Sequence, residues 1–399
     1  MNQGKLHIVI ISTWMPTPGN TSGIFTLEQT DALAASGNKV SVMMFKYFSL
    51  FSWLKKILKR EALSNYIKGR MVQPIAYNFV NPTPTRFSSD PLTAQKKAFL
   101  HFAEKKFLKY IQQFGKPDII HHHEIADYCY LTAHLSKKYN IPYVITEHSP
   151  YDPDKSHFNP YETKEERLEM IRHASARIAV STHYQKKYEQ LFGSPFITIP
   201  NLVSNEFVQK PLPVFPKQNK PFTFLNVGSF SKIKRQDILI KTFAEAFKNN
   251  VNVHLTLVGN GPLEKELRDL ISSTGMEKQV YLAGYKTKQE LLQITDEAHV
   301  LVVSSETETF SVAAAEALTR GNPVLSTRCG GPEDFVNEQN GMLCNVNDVA
   351  DMQEKMLAIY NKYASFDHKQ IARNASDQFS EQAVVKKLEE LYWITAHSH

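Results

Sequence analysis

Cysteine is scarce in this chain, with three residues among 399. No two of them have the short spacing of a structural zinc site or a redox-active pair, and three thiols are too few for a disulfide framework. The sequence therefore excludes the small disulfide-rich and zinc-stabilised classes. We expect Cys129, Cys329 and Cys344 to be free thiols in a reducing compartment.

Long apolar runs are missing as well. No stretch approaches the roughly 18 apolar residues of a membrane-spanning helix. The chain passes into a predicted strand at His7 without a charged and then apolar leader. We find no zinc-finger, helix-turn-helix or RNP-like motif, so nucleic acid is not an expected partner. These features predict a cytoplasmic protein.

The net charge of +6 is unevenly distributed along the chain. Residues 1–205 contain 25 Lys and Arg against 16 Asp and Glu, whereas the remainder contains 21 against 24. Basicity confined to one half favours an anionic partner for that half, either a membrane surface or an acidic substrate.

Residues 46–70 concentrate this basicity and interleave it with aromatic side chains such as Phe51 and Trp53. A basic amphipathic helix here suits an anionic membrane surface, and it predicts a protein that is peripheral at the inner face of the membrane. A helix with its apolar side in the core and its basic side in solvent fits the same pattern. A second basic region comprises Lys96, Lys97, Lys105, Lys106 and Lys109.

Strand and helix signals alternate along the chain, which is typical of parallel sheets covered by helices. Residues 209–221 interrupt the alternation with four prolines, a composition that suits an extended linker, and we expect residues 200–221 to act as a hinge. We predict an α/β fold with two doubly wound Rossmann-like domains and a ligand cleft between them. The predicted parts are residues 1–205, residues 206–379 and a C-terminal helix, 380–399, that packs on either domain.

The stretch from Glu308 to Glu316 is the most informative part of the chain. It follows the apolar run 300–303 and reads as a loop leading into a helix, with Ala313, Ala314 and Ala315 allowing close packing. A helix N-terminus offers free amides and a positive dipole end, which suit a phosphate. Two carboxylates beside it are suited to hold hydroxyl groups, although glutamates at this spacing also occur on solvated helix faces.

Four further loops follow predicted strands of the second half. They contain Gly228 with Lys234, the Gly-Asn-Gly turn 259–261, Gly284 with Tyr285, and the pair Gly330-Gly331. Each alone has an ordinary structural explanation, and the turn at 259–261 lacks the third glycine of a dinucleotide fingerprint. Five such loops on consecutive strand ends indicate a binding site.

Taken together, these residues resemble the retaining glycosyltransferases of family 4, or glycosyl transferases group 1, which have the GT-B architecture of two Rossmann-like domains facing a central cleft. The best match is Glu-x7-Glu at 308–316, continued by Glu-Ala-Leu and Gly-x-Pro-Val up to residue 324. In the first half, Gly23 in Ser-Gly-Ile-Phe, Asp-x-x-His-x-His at 118–123 and Thr-x-His at 146–148 resemble family segments.

The resemblance implies a role for each matching residue. Glu308 would contact and orient the transferred sugar, His123 would face it near the reacting carbon, Lys234 would bind the diphosphate, and Glu316 would hold the ribose hydroxyls. Amides of the 310–312 turn would support phosphate and sugar, and the Gly284 loop would meet the base. The residues expected to bind the donor are Glu316, Phe310, Ser311, Val312, Gly23, Gly228, Ser229, Gly259, Asn260, Gly261, Gly284, Tyr285 and Arg235.

Two positions depart from the family pattern. Ser229 stands where an arginine is common, so one phosphate-binding charge is missing, and Arg235 or Arg328 is a candidate to replace it. Ser311 stands where glycine is usual, so a side chain narrows the sugar pocket or adds a hydroxyl. The three adjacent histidines 121–123 alternate in direction along a strand, which argues against a shared metal.

These expectations amount to transfer of a sugar, with retention, from a UDP-sugar to a glycan or lipid-linked acceptor in cell-surface polysaccharide or glycolipid synthesis. No cofactor or metal is expected, since no Asp-x-Asp-type carboxylate site is evident. Two alternatives stay open. One is a sugar-nucleotide epimerase or hydrolase on the same fold, and the other is a catalytically silent scaffold that binds a partner.

Overall fold

In the computed structural model of the protein, the chain divides into two compact units. Unit 1 comprises Met1–Val180, Gln185–Ile199 and Val385–His399, and unit 2 comprises Ser181–Tyr184 and Pro200–Val384. The residues that the structure describes are 4–12, 23–49, 71–72, 74–81, 91–125, 129–150, 163–217 and 221–398.

Unit 1 is built on a seven-stranded parallel sheet in the order β3-β2-β1-β4-β5-β6-β7. Its strands are β1 His7–Ile11, β2 Lys39–Ser49, β3 Ile75–Asn81, β4 Ile119–His123, β5 Tyr143–Glu147, β6 Ala176–Ala179 and β7 Ile197–Thr198. The central strand β1 reads His-Ile-Val-Ile-Ile and is buried from Ile8 onwards, because helices cover both faces of such a sheet.

Unit 2 is built on a six-stranded parallel sheet in the order β10-β9-β8-β11-β12-β13. Its strands are β8 Phe222–Val227, β9 Val253–Val258, β10 Val280–Gly284, β11 Val300–Val303, β12 Val324–Thr327 and β13 Gly341–Cys344. The chain runs outward from β8 to β10 and then returns to β11 on the other side of β8. The topological switch point, where ligands bind in open α/β sheets, therefore lies between β8 and β11.

Helices follow most of the strands, as expected for a doubly wound fold. They are α1 Ile24–Ala35, α2 Pro91–Phe114, α3 Cys129–Tyr139, α4 Lys164–His173, α5 Thr182–Phe192, α6 Asn205–Val208, α7 Gln236–Phe247, α8 Glu264–Ser273, α9 Lys288–Glu297, α10 Val312–Thr319, α11 Val349–Lys362, α12 His368–Phe379 and α13 Glu381–His397. The predicted fold class of two doubly wound Rossmann-like domains is confirmed.

The proline-rich stretch differs from the predicted extended linker and hinge. The structure describes it up to Lys217, and this part belongs to unit 2. The fully buried side chain of Arg320 donates to the carbonyls of Phe207, Lys210 and Pro211 at 2.6–2.8 Å. Arg320 therefore ties this segment to unit 2 through its carbonyls, which the proline content did not predict.

The predicted membrane-facing segment, 46–70, lies outside the described residues apart from the end of β2. Of the helices in the described ranges, none combines the length and the apolar composition required to cross a bilayer. In the C-terminal segment of unit 1, the Glu389 carboxylate accepts from Asn38 at 2.6 Å and from Ser36 at 2.7 Å.

Candidate active site

Five loops meet at the carboxyl edge of the unit 2 sheet, because all its strands are parallel. Backbone hydrogen bonds join neighbouring loops in sheet order. Gly259 N–H donates to Gly284 at 3.0 Å, Gly228 N–H donates to Val258 at 3.0 Å, and Glu308 N–H donates to the Cys329 carbonyl at 2.8 Å. The residues predicted for unit 2 are therefore brought to one edge of one sheet.

Glycine is required where these loops approach each other most closely. A Cβ on Gly259 would lie 1.9 Å from the Gly228 carbonyl oxygen, and the φ angle of Gly259 is +147°. Asn260 between the two turn glycines is exposed, and its carbonyl accepts from Phe230 N–H at 2.8 Å. The loop after β9 thus presents mostly backbone to the site, as expected for a surface that a phosphate or sugar approaches.

An ion pair bridges the switch point. Lys234, at the end of the 3₁₀ turn Lys232–Lys234 after β8, donates from Nζ to Glu308 Oε1 at 2.5 Å. Ser305 Oγ donates to the same oxygen at 2.6 Å. The side chains of Lys234 and Glu308 are partly exposed, at 25% and 14%. Glu308 Oε2 makes no hydrogen bond within the described part of the chain. The pair leaves one carboxylate oxygen and two ammonium protons for a ligand.

Helix α10 begins directly after this pair. Ser311 precedes the helix with a φ angle of +73° and makes no side-chain capping hydrogen bond. This conformation favours glycine, which gives a physical reason for the family's glycine at that position. Phe310 is buried against Phe335 and Phe379, so it anchors the turn, while the amides from Val312 onward begin the helix. Free amides at a helix N-terminus suit an anion.

Glu316 is the fifth of the eight residues of α10 and is only 7% exposed. Its Oε1 is 3.9 Å from Nζ of Lys288, the first residue of α9. The sequence reasoning did not select Lys288, although its place three residues after Tyr285 put it near the expected base-binding loop. Gly284 has a φ angle of +71° with open space around its Cβ position, and Tyr285 is 43% exposed.

Arg235 has its guanidinium engaged by its own neighbours. It donates to Asp237 at 3.0 Å, to Glu306 at 2.7 Å and to Asn347. Hydrogen bonding to Asp237 and Glu306 raises the pKa of Arg235. Because two carboxylates already compensate its charge, Arg235 is poorly placed to replace the arginine missing at Ser229.

The histidines predicted in unit 1 form a buried cluster at the carboxyl end of β4. His123 Nδ1 is 2.8 Å from His148 Nε2, and His148 packs against Phe25 with ring centroids 4.1 Å apart and the ring planes tilted by 33°. Gly23, with a φ angle of +81°, caps α1 two residues before Phe25. The described residues thus bring Gly23 and His123 to one end of the unit 1 sheet.

His121 joins this cluster through its two ring nitrogens. Nδ1 is 2.6 Å from the Tyr392 hydroxyl, and Nε2 is 2.7 Å from Thr146 Oγ1. Burial lowers the pKa of both His121 and His123 well below the usual histidine value, so both rings are neutral near pH 7. His123 Nε2 has no hydrogen-bond partner among the residues described.

Comparison with known proteins identifies both halves of the chain. The family model Glycosyltransferase Family 4 matches residues 23–207, and Glycosyl transferases group 1 matches residues 210–378. An uncharacterised glycosyltransferase from Methanocaldococcus jannaschii is 27% identical over 61% of this chain and 66% of its own length. N-acetyl-alpha-D-glucosaminyl L-malate synthase from Bacillus anthracis is 28% identical over 42% of this chain and 44% of its own length. Each match spans less than two thirds of the relative.

Solved structures share the fold. The crystal structure of HepE from Anabaena in complex with UDP has a TM-score of 0.70 and 18% sequence identity, covering 97% of this chain and 99% of HepE. Because the two family models together account for most of its length, this chain belongs to the group 1, family 4 glycosyltransferases.

Proposed function

We propose that the chain transfers a sugar from a UDP-sugar to a hydroxyl group of a glycan or lipid-linked acceptor, with retention at the anomeric carbon, in cell-surface polysaccharide or glycolipid synthesis. The observation that carries the proposal is the Lys234–Glu308 pair at the switch point of unit 2, beside the N-terminus of α10. A cation and free amides suit a diphosphate, and a carboxylate suits sugar hydroxyls. The UDP bound in HepE, a protein of the same fold, supports the choice of nucleotide.

The proposed mechanism gives each group one task. Lys234 and the first amides of α10 stabilise the negative charge that develops on the leaving diphosphate. The acceptor hydroxyl attacks from the face that the diphosphate leaves, and a diphosphate oxygen takes the hydroxyl proton. Glu308 orients the sugar, Glu316 holds the ribose, and His123 offers its Nε2 to the sugar. None of these steps requires a divalent metal.

Kinetics of three variants test the assignment. Lys234→Met should lower kcat by roughly 100-fold or more, as for loss of one donor to a developing anion. Glu316→Gln should raise the donor KM by about tenfold, as expected when a charged hydrogen bond is lost. Lys232→Met is the matched control, because Lys232 is exposed in the same 3₁₀ turn. Wild-type kinetics in the first two variants would refute the site.

The alternatives predict different products. An epimerase or hydrolase would consume the nucleotide sugar without any acceptor. A silent scaffold would show donor protection in thermal unfolding, about 2.7 kcal/mol at 100 times Kd, with no turnover. The same thermal panel with magnesium and with EDTA tests whether donor binding is independent of metal.

One face of α2 supports the proposed anionic partner of unit 1 at the inner membrane surface. Lys97, Lys105 and Lys109 are exposed there. Lys96 instead pairs with Glu166 at 3.1 Å, and Lys106 lies over the Phe102 ring. An exposed row of ammonium groups attracts an anionic surface, with roughly 1 kcal/mol per residue. Vesicles containing anionic lipid should therefore bind the wild type. They should not bind the variant in which these three exposed lysines are changed to Gln. Equal flotation of both would contradict the membrane proposal.

A further inference from the structure

Unit 2 contains a second pair of a lysine and a glutamate at its carboxyl edge, and the proposed chemistry does not use its lysine. Lys288 Nζ lies 3.9 Å from Glu316 Oε1, with side-chain exposures of 27% and 9%. At this distance the two groups form an ion pair without a direct hydrogen bond. Each motif glutamate thus has a lysine partner from a different loop, Lys234 for Glu308 and Lys288 for Glu316.

The Lys288 ammonium group lies over a buried aromatic ring. Nζ lies 5.9 Å from the centre of the Phe207 ring, which is fully buried. Arg320 donates to the Phe207 carbonyl at 2.8 Å and to Asp296 at 2.7 Å. Asp296 lies near the other end of α9, so Arg320 secures both the ring under Lys288 and the helix that begins with Lys288.

We propose that Lys288 is a positioning residue for the nucleoside half of the donor site: its ammonium holds the Glu316 carboxylate in place for the ribose hydroxyls. The proposal rests on the proposed role of Glu316. A carboxylate that is 7% exposed is poorly hydrated, so a nearby positive charge stabilises it and favours one position of the side chain. Lys288 supplies that charge from the side of the loop that would meet the base.

Lys286 provides a closely matched control. Its side chain is also 27% exposed, and its Nζ is also 3.9 Å from a glutamate. That glutamate is Glu290, which is 53% exposed and belongs to the capping box of α9. The two lysines therefore share exposure and ion-pair distance, and they differ in that Lys288 pairs with the motif glutamate and lies over the Phe207 ring.

The test measures dependence on the ribose hydroxyls by titration calorimetry. UDP, GDP and ADP are each compared with their 2′-deoxy and 3′-deoxy forms on the wild type, Lys288→Met, Lys286→Met and Glu316→Gln. For the nucleotide that binds best, loss of a hydroxyl held by Glu316 should weaken wild-type binding by about tenfold or more. In Lys288→Met the penalty should fall to about threefold or less, as in Glu316→Gln, whereas Lys286→Met should keep the wild-type penalty.

The outcomes distinguish a failure of the positioning role from a failure of the proposed donor site. A full wild-type penalty in Lys288→Met would overturn the positioning role and leave the role of Glu316 intact. Absence of nucleotide binding, or a penalty that Glu316→Gln does not change, would overturn the proposed site and the inference with it. Lys288→Arg keeps the charge and should restore the penalty. If the methionine variant does not fold, Lys288→Gln gives the same comparison.

Discussion

Arg320 offers the sharpest test of how unit 2 is held together. Its side chain is completely buried. Nε and Nη2 donate to the two carboxylate oxygens of Asp296, and Nη1 and Nη2 donate to the carbonyls of Phe207, Lys210 and Pro211. These five bonds use all five N–H donors of the guanidinium. Replacing Arg320 with Met would keep much of the apolar stem and remove every donor.

The expected loss of stability follows from the buried polar groups that would lose Arg320 as their hydrogen-bond partner. Removing one partner of a buried ion pair costs about 3–5 kcal/mol, because the other partner stays buried without compensation. The Asp296 side chain is 21% exposed, so water can rehydrate it in part. We therefore expect Arg320→Met to lower the free energy of unfolding by about 3 kcal/mol. For a unit of this size that corresponds to a drop of roughly 6–12 °C in Tm.

Calorimetry of the unfolding transition and hydrogen exchange measure the effect together. Peptides from 205–217 should exchange faster in the variant, because their carbonyl anchors are lost. Arg268→Met is the control in the same unit: Arg268 is 59% exposed and pairs with Glu264 at 2.7 Å, so about 0.5 kcal/mol or less is expected. If Arg320→Met and Arg268→Met destabilise the protein equally, the reasoning about Arg320 is wrong.

Three further predictions concern local chemistry. Ser311→Gly should stabilise unit 2 by about 0.5–1 kcal/mol, since relief of a positive φ gains roughly 1–2 kcal/mol and the extra freedom of unfolded glycine costs about 0.5–1; a lower Tm would contradict it. Burial raises the pKa of the thiols of Cys329 to about 11 and of Cys344 to about 12. Alkylation of both at pH 7.5 should therefore need unfolding, and rapid labelling of the native protein would disprove this. In the unfolded chain, His121 and His123 have the ordinary histidine pKa of 6.5. In the folded chain, burial lowers the pKa of both rings well below that value. Stability should thus fall as the pH drops below about 6.5, by up to 1.4 kcal/mol per pH unit for each histidine; denaturant midpoints that stay constant from pH 7 to 5 would contradict it.

The strands of unit 2 could be predicted closely where an apolar run ends in glycine or serine. The runs 222–227, 253–258 and 300–303 coincide with β8, β9 and β11. Apolar runs of this length are typical of strands covered on both faces of a parallel sheet, and β11 is buried throughout. In contrast, β13 has four residues with an ordinary composition, and it forms because β12 pairs with it.

The lysines of α2 predict a basic region, but the spacing of its apolar residues also predicts a helix that packs on the core. Phe99, Ala103, Phe107 and Tyr110 recur at the helical spacing, and all four are buried. The pattern is that of an amphipathic helix whose lysines occupy the outer side. The number of lysines alone therefore does not predict that α2 packs on the core, whereas the spacing of its apolar residues does.

Other features could not be predicted, because they depend on distant parts of the chain. Arg320 looks like an ordinary residue at the end of a helix, yet its partners lie 24 and about 110 residues away. Proline content predicts an extended linker, since composition says nothing about which side chains bind its carbonyls. The departure at Ser311 was visible in the sequence, but its φ angle became apparent only with the turn in place.

The ion pair that carries the proposed function depends on strand order rather than on motif spacing. Lys234 and Glu308 are 74 residues apart in sequence. In a sheet that followed chain order, β8 and β11 would be separated by three strand spacings, roughly 14 Å, beyond the reach of one lysine side chain. The crossover from β10 back to β11 places β11 beside β8 instead, and this brings Nζ within 2.5 Å of the carboxylate. The motif contains Glu308, and the reversal of strand order places Lys234 beside it.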